Sequence, residues 1–190
     1  MRHSDLQDDE LVQGCIDGGR TYQKMLYERF YGSMMVVCMR YTNDREEARD
    51  VLHEGFMKVF SNLKQFNKGT NLGAWIRRIM INTAIDHYRK SAKRPNLVEI
   101  NHAVHEIDVQ DVISDMSAQE ILGLVQKLSP AYRMVFNLYV IEGHSHKEVG
   151  KMLNISEGTS KSNLAKARSK LQHMVKSARI IKRVEGENYA

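Results

Sequence analysis

The sequence predicts an all-α protein of two small helical domains joined by a flexible linker. Apolar residues recur at three- and four-residue intervals through most of the 190 positions, which is the spacing of amphipathic helices. We find no convincing run of the alternating pattern that indicates a strand. The length also exceeds that of one usual compact domain, so we expect two.

Four helices are predicted in the first domain, which we place at residues 1–94. Their expected spans are Leu6–Asp17, Arg20–Tyr41, Asp44–Leu63 and Leu72–Lys90. Asp44, with Glu47 three residues later, has the spacing of a capping arrangement. A polar loop at residues 67–71 separates the last two helices. Trp75 lies at the helical spacing of a core residue, and we prefer this interpretation to a platform for base stacking.

Helix start signals are explicit in the second domain, residues 116–180, which follows a linker at 95–115 and precedes a tail at 181–190. We expect helices at 118–128, 130–142, 146–153 and 157–179. The signals are two capping boxes, a serine-proline start, a further serine cap and a closing glycine. They lie at Ser117 with Glu120, Ser145 with Glu148, Ser129 with Pro130, Ser156, and Gly143.

The last two predicted helices form a helix-turn-helix in a winged-helix-like, four-helix domain. The turn at residues 154–156 has the expected length. The apolar residues that can hold the two helices together are Val149, Met152, Leu153, Ile155, Leu164 and Leu171. This arrangement leaves Lys161 and Lys166 exposed on the second helix, which fits a DNA major groove.

The net charge of +5 is distributed in blocks. Residues 68–94 carry seven basic and one acidic side chain, and residues 144–183 carry ten basic and two acidic ones. Between them, residues 95–126 carry six acidic side chains and no lysine or arginine. Because phosphate neutralisation needs clustered cations, the two blocks indicate two separate nucleic-acid contacts.

Several other classes of protein are disfavoured. Cys15 and Cys38 are expected to be buried reduced thiols. No apolar run reaches the length of a membrane span and the N-terminus is polar, so a cytoplasmic location is expected. We predict no enzyme, metal or cofactor, because no catalytic or metal-ligand constellation is visible. The closest histidine pairs, expected to be solvated loop residues, are His102 with His105 and His144 with His146.

Two segments resemble parts of bacterial sigma factors. Leu128–Leu171, with the stretches at residues 142–149 and 154–159, resembles the region that contacts the minus-thirty-five promoter box. Asp44–Leu63 is similar to the helix of the second sigma region that docks on RNA polymerase, and Phe66–Lys90 resembles the adjoining part that melts and reads the minus-ten box. Their order and the absence of extra regions indicate the extracytoplasmic-function (ECF) subfamily.

The resemblance implies core RNA polymerase and promoter DNA as partners, and commonly an anti-sigma factor. It implies that Asn82 helps to form a pocket for an extruded base, which an amide can recognise with donor and acceptor groups. The implied upstream-box residues are Thr159, Lys161, Ser162, Asn163, Lys166 and Arg168. Those for the downstream box are Lys68, Asn71, Arg77, Arg78, Asn82, Asp86 and Arg89, and those for polymerase are Asp50, Glu54 and Lys58.

Three positions depart from the family pattern. His53 replaces a frequent glutamine, Asn163 a common arginine, and Ser160 a β-branched apolar residue. Ser160 is therefore expected to loosen the recognition helix slightly. The alternative function is a stand-alone helix-turn-helix regulator, which would bind closed duplex DNA without polymerase.

Overall fold

The computed structural model describes residues 7–92 and 118–187, and the regular structure in these ranges is helical. The chain divides into two compact units, residues 1–91 and 92–190. Unit 1 contains α1 (Asp8–Ile16), α2 (Arg20–Tyr41), α3 (Arg45–Asn62), a short 3-10 turn (Leu63–Gln65) and α4 (Leu72–Ala92). Unit 2 contains α5 (Ala118–Gln126), α6 (Pro130–Phe136), a π-helical turn (Asn137–Ile141), α7 (His146–Leu153) and α8 (Glu157–Glu187).

The helix bounds follow the predictions where local signals are strong. Helices α2 and α7 have the predicted bounds, and Asp44 Oδ1 accepts a hydrogen bond from the Glu47 amide over 2.8 Å. Helix α8 extends eight residues beyond its predicted end at 179. The predicted capping serine Ser117 lies outside the described residues.

Unit 1 is built around the close packing of its helices. The core includes fully buried leucines from α1, α2 and α3. Helices α3 and α4 meet at Gly55, where an added Cβ would overlap Sδ of the fully buried Met80. The absence of a side chain at position 55 therefore makes room for the methionine.

Unit 2 contains a buried arginine that the sequence analysis did not identify. Arg133 on α6 is 3% exposed. Its guanidinium donates hydrogen bonds to the carbonyl oxygens of Gln126 and Leu128, at 2.7 and 2.8 Å. Gln126 is the last residue of α5, where helix geometry leaves carbonyl acceptors without an intrahelical donor, and Leu128 lies in the turn that follows. Arg133 thus ties α5 to α6.

None of the described helices combines the length and apolar character that a membrane-spanning helix requires.

Candidate nucleic-acid interface

The helix-turn-helix of unit 2 is closed by local hydrogen bonds. Ser145 and Glu148 form the predicted capping box at the start of α7. Asn154 ends α7 in the left-handed conformation, at φ 57°, which asparagine tolerates better than most residues. The Ile155 amide then donates to the Gly150 carbonyl oxygen over 3.0 Å. These contacts fix the turn from which α8, the predicted recognition helix, begins.

The inner face of α8 packs as the sequence predicts. Leu164 and Leu171 are buried, as are Val149 and Leu153 on α7. Met152 and Ile155, also predicted for this core, are only half-buried. The buried line of α8 also includes Ser160, which is fully buried.

The predicted upstream-box residues occupy two flanks of α8. At about 100° of rotation per residue, Ser162 lies opposite the buried line, with Thr159 on one side of it. Lys161 and Arg168 lie towards the other flank, and all four are exposed. The remaining two, Asn163 and Lys166, are half-buried. The exposed end of the helix nearest the turn therefore presents both hydroxyl groups and cations.

Lys161 is held by an ion pair within the helix. Its Nζ lies 2.8 Å from Glu157 Oε1. This contact lowers the pKa of Glu157 and raises the pKa of Lys161. Because both side chains are largely exposed and exposed ion pairs are weak, a DNA phosphate can replace Glu157 at little cost.

His146 was expected to be solvated, but its ring is half-buried and packed against a tyrosine. It is the first residue of α7, and its ring stacks on Tyr139 at a centroid distance of 4.2 Å. Its Nδ1 lies 2.9 Å from Ser160 Oγ. Ser160 therefore has a hydrogen-bonded place in the core.

We expect unit 2 to lose stability as the pH falls below about 6.5, the ordinary pKa of histidine. Burial lowers the pKa of His146, with Lys161 and Arg168 adding to the effect and Glu157 opposing it. The unfolded chain then binds the proton more readily, so acid favours unfolding. Amide hydrogen exchange in unit 2 at pH 7.5 and pH 5.5 measures this effect, and a His146→Phe variant should show a smaller difference. A difference of equal size in that variant would assign the effect to other groups.

In unit 1, four of the predicted downstream-box residues lie along one side of α4. Asn71 precedes the helix, and Arg78, Asn82 and Arg89 follow it on nearly the same line, given about 100° of rotation per residue. Asn82 and Arg78 are exposed. Arg77 lies roughly 100° from Arg78 and is half-buried, so it does not belong to this stripe. Asn71 has a structural task as well, because its Oδ1 accepts from the Ala74 amide over 2.8 Å.

The side chains predicted to contact polymerase and those predicted to contact DNA are joined by ion pairs between α3 and α4. Lys58 Nζ lies 3.0 Å from Glu54 Oε1 and 3.4 Å from Asp86 Oδ2. Asp86 also lies 3.7 Å from Arg89. Lys58 lowers the pKa of Glu54. Asp86, which is predicted for the downstream box, therefore also links the two helices, whereas Asp50 is exposed.

The loop before α4 contacts α1, a contact that no local sequence signal predicts. The Lys68 ammonium donates to Gln13 Oε1 over 3.1 Å, and the Gly69 amide lies 3.4 Å from Asp9 Oδ1. Trp75 packs edge-on against the buried Phe66, with ring centroids 5.5 Å apart. Trp75 therefore packs on a core residue, as preferred, but it is only half-buried itself.

Comparison with known proteins identifies the class of this helical arrangement. Residues 26–94 match the family Sigma-70 region 2, and residues 118–171 match Sigma-70, region 4. These segments make up more than half of the chain and include α4 and the helix-turn-helix. The protein is therefore a sigma-70-type transcription initiation factor.

Similar curated proteins define the subgroup. RNA polymerase sigma-H factor of Pseudomonas aeruginosa is 25% identical over 174 residues, covering 85% of this chain and 90% of the relative. ECF RNA polymerase sigma factor SigW of Bacillus subtilis is 27% identical over 154 residues, covering 74% and 81%. A solved sigma factor RpoE, in complex with the anti-sigma factor NepR from Bartonella quintana, has 22% identity and a TM-score of 0.47, covering 80% of this chain and 96% of that one. On the two family matches and the curated relatives, the chain belongs to the ECF sigma factors.

Membership in this family makes the chain a factor that binds core RNA polymerase and directs it to promoters. The alternative of a stand-alone regulator is not favoured, because the sigma region 2 match accounts for the first unit.

Proposed function

We propose that the two units divide promoter recognition between intact and opened DNA. Unit 2 places the start of α8 in the major groove of the minus-thirty-five box, with Thr159, Lys161 and Ser162 nearest the bases. Arg168 and Lys166 serve the flanking phosphates. The observation that carries this assignment is the exposed, capped start of α8 above a buried inner face.

We propose that unit 1 captures the separated strand at the minus-ten box. Opening DNA costs pairing and stacking energy, so a protein favours it by binding bases after they leave the duplex. Asn82 is exposed on the α4 stripe and offers both a donor and an acceptor to a base edge. Arg78 and Arg89 follow the strand's phosphates, an interaction that weakens with salt.

The polymerase contact is proposed for the exposed side of α3, centred on Asp50. Glu54 and Lys58 support it from the ion-paired seam with α4. This arrangement couples the polymerase-binding and strand-binding helices within one unit. An anti-sigma partner and action in the cytoplasm, where RNA polymerase works, are further parts of the proposal that follow from the family.

In vitro transcription with core RNA polymerase tests the whole proposal. The template is a pool of duplexes randomised at two boxes upstream of a fixed transcribed segment. The full chain should give run-off product from a subset of templates enriched at both boxes, and core polymerase alone should not. Binding of the chain to closed duplex with equal selectivity in the absence of polymerase would instead support the stand-alone regulator.

Lys161→Ala is expected to reduce discrimination for the selected upstream box about tenfold, since a good base contact contributes roughly 1–3 kcal/mol. Lys166→Ala should have a smaller effect on discrimination and reduce the salt dependence. Lys176→Ala is the matched control, because this exposed lysine lies farther along α8. The Lys161→Ala and Lys166→Ala variants should bind core polymerase normally in a competition assay. A loss of core affinity in either of them would contradict the assignment.

Asn82→Ala is expected to slow open-complex formation about tenfold while closed-complex affinity stays nearly unchanged, because the amide meets its base only after opening. Permanganate reactivity of unpaired thymines follows the open complex, and a filter-binding assay at low temperature follows the closed one. Ser91→Ala on α4 is the control, since by helical geometry this serine lies off the stripe. Equal losses at both steps would argue against the base pocket.

A further inference from the structure

Tyr139, His146 and Ser160 form a chain of contacts that runs from the π-helical turn to the recognition helix. The Tyr139 and His146 rings are stacked, with 20° between their planes. His146 Nδ1 then contacts Ser160 Oγ at 2.9 Å. None of these three residues belongs to the surfaces assigned above to DNA or polymerase.

Ser160 occupies a position where a hydroxyl is costly without a partner. It is 0% exposed and lies on the same buried line as Leu164 and Ala167. Burying a hydroxyl without compensation costs more than the hydrogen bond returns. The bond to His146 supplies a side-chain partner for this hydroxyl.

A directional bond at this position constrains α8 in a way that apolar contacts do not. Hydrogen bonds weaken steeply when their angle departs from linear, whereas apolar packing has no such angular requirement. Ser160 lies directly between Thr159 and Lys161 in the sequence. Its location in the core therefore sets the rotation of both neighbours about the axis of α8.

We propose that His146 is a positioning residue which, through Ser160, fixes the rotation of the recognition helix and so determines which bases the start of α8 contacts. The proposal rests on the assignment of α8 to the upstream box. It adds the contact that determines the specificity of α8 for that box. Tyr139 stacks on a face of the imidazole and so holds the plane of the ring. The charged groups around the ring are Lys161, Glu157 and Arg168, all on α8.

The test compares variants that separate the bond from the packing. His146→Phe keeps an aromatic ring for Tyr139 and removes the bond. Ser160→Ala removes the hydroxyl. Ser160→Thr keeps the hydroxyl on a β-branched side chain, the side-chain shape that the family resemblance implies at this position. Ser177→Ala makes the same serine-to-alanine change at an exposed site of α8, so it controls for helix propensity.

Each full-length variant is combined with core polymerase and transcribes an equal mixture of the selected promoter and the same promoter with a scrambled upstream box. We expect His146→Phe and Ser160→Ala each to lower the ratio of the two products roughly fivefold to tenfold, as loss of one well-placed bond implies. The double variant should be no worse than the poorer single variant, because both changes remove the same contact. Ser160→Thr and Ser177→Ala should stay within about twofold of the wild type, and minus-ten discrimination should not change.

A second measurement keeps the proposal falsifiable if a variant folds poorly. The chemical shifts of the His146 imidazole nitrogens, measured in the full-length protein, should differ from the wild-type values in the Ser160→Ala variant. They should not differ in the Ser177→Ala variant. Additive losses in the double variant, or a threonine variant as poor as the alanine one, would overturn the positioning role. If the wild-type holoenzyme does not discriminate the upstream box, the proposed function itself is wrong. Wild-type discrimination with unaffected variants contradicts the positioning role alone.

Discussion

Replacing Met80 by alanine is expected to destabilise unit 1 by about 2–4 kcal/mol, and adding Gly55→Val is expected to recover most of that loss. Met80 is fully buried and fills the space that Gly55 leaves open at the crossing of α3 and α4. Alanine at position 80 leaves a cavity, and valine at position 55 returns methyl groups from the opposite helix. Gly55→Val alone should destabilise the unit by roughly 1–3 kcal/mol, because it overpacks the same space.

The measurement has a natural probe in Trp75, the only tryptophan in the chain, which packs on Phe66 in unit 1. Its fluorescence during urea unfolding reports this unit. Gly32→Val on α2 is the control, since an added Cβ there meets no atom within 4 Å. If the losses of the two single variants simply add in the double variant, the two positions do not share one space.

The starts of α3 and α7 could be predicted because their signals are local. Asp44 and Ser145 each lie three residues before a glutamate, and the hydrogen bonds they make stay within a single turn. Such contacts depend on neighbouring residues alone, so the sequence contains what is needed to find them. The same reason explains why the bounds of α7 were correct.

The contacts between helices could not be predicted in the same way. The sequence indicated which face of α3 or α4 is polar, but not that Lys58 would meet Asp86, 28 residues away. The partnership of His146 and Ser160 was hidden for the same reason, since a histidine near a turn and a serine in a helix are both ordinary surface residues. Periodicity gives the direction of a side chain, and only packing gives the residue opposite.

The same distinction applies to the predicted site residues, because periodicity predicts the direction of a side chain but not its contacts. Asn82 and Ser162 were placed correctly on exposed faces, because exposure follows from the helical period. Arg77 was assigned to the downstream box with Arg78 because of the family resemblance, yet neighbours on a helix diverge by about 100°. Helical periodicity separates the two side chains, and the structure leaves Arg77 half-buried.

Replacing Gly150 by leucine is expected to destabilise unit 2 by about 2–3 kcal/mol or more and to abolish dependence on the upstream box. A Cβ at position 150 would lie 2.9 Å from the Ile155 carbonyl oxygen and 3.6 Å from the Glu157 amide nitrogen. Both atoms belong to the backbone of the turn, which cannot rotate aside as a long side chain can. The larger side chain must therefore displace the turn that orients α8.

Alanine at position 150 is a sharper test of the same argument. Its single methyl makes the 2.9 Å contact, but alanine also favours a helix over glycine by up to about 1 kcal/mol. The two effects oppose each other, so we expect little net change in stability for Gly150→Ala. Gly123→Leu on α5 is the control for leucine, because an added Cβ there meets no atom within 4 Å.

Hydrogen exchange of unit 2 amides and transcription from templates with an intact or scrambled upstream box measure the two consequences separately. Unit 1 should unfold normally by Trp75 fluorescence in every variant at position 150, since the change lies in the other unit. A Gly150→Leu protein with wild-type exchange protection and wild-type box preference would show that the turn yields without moving α8. The geometry of the turn would then not control base recognition.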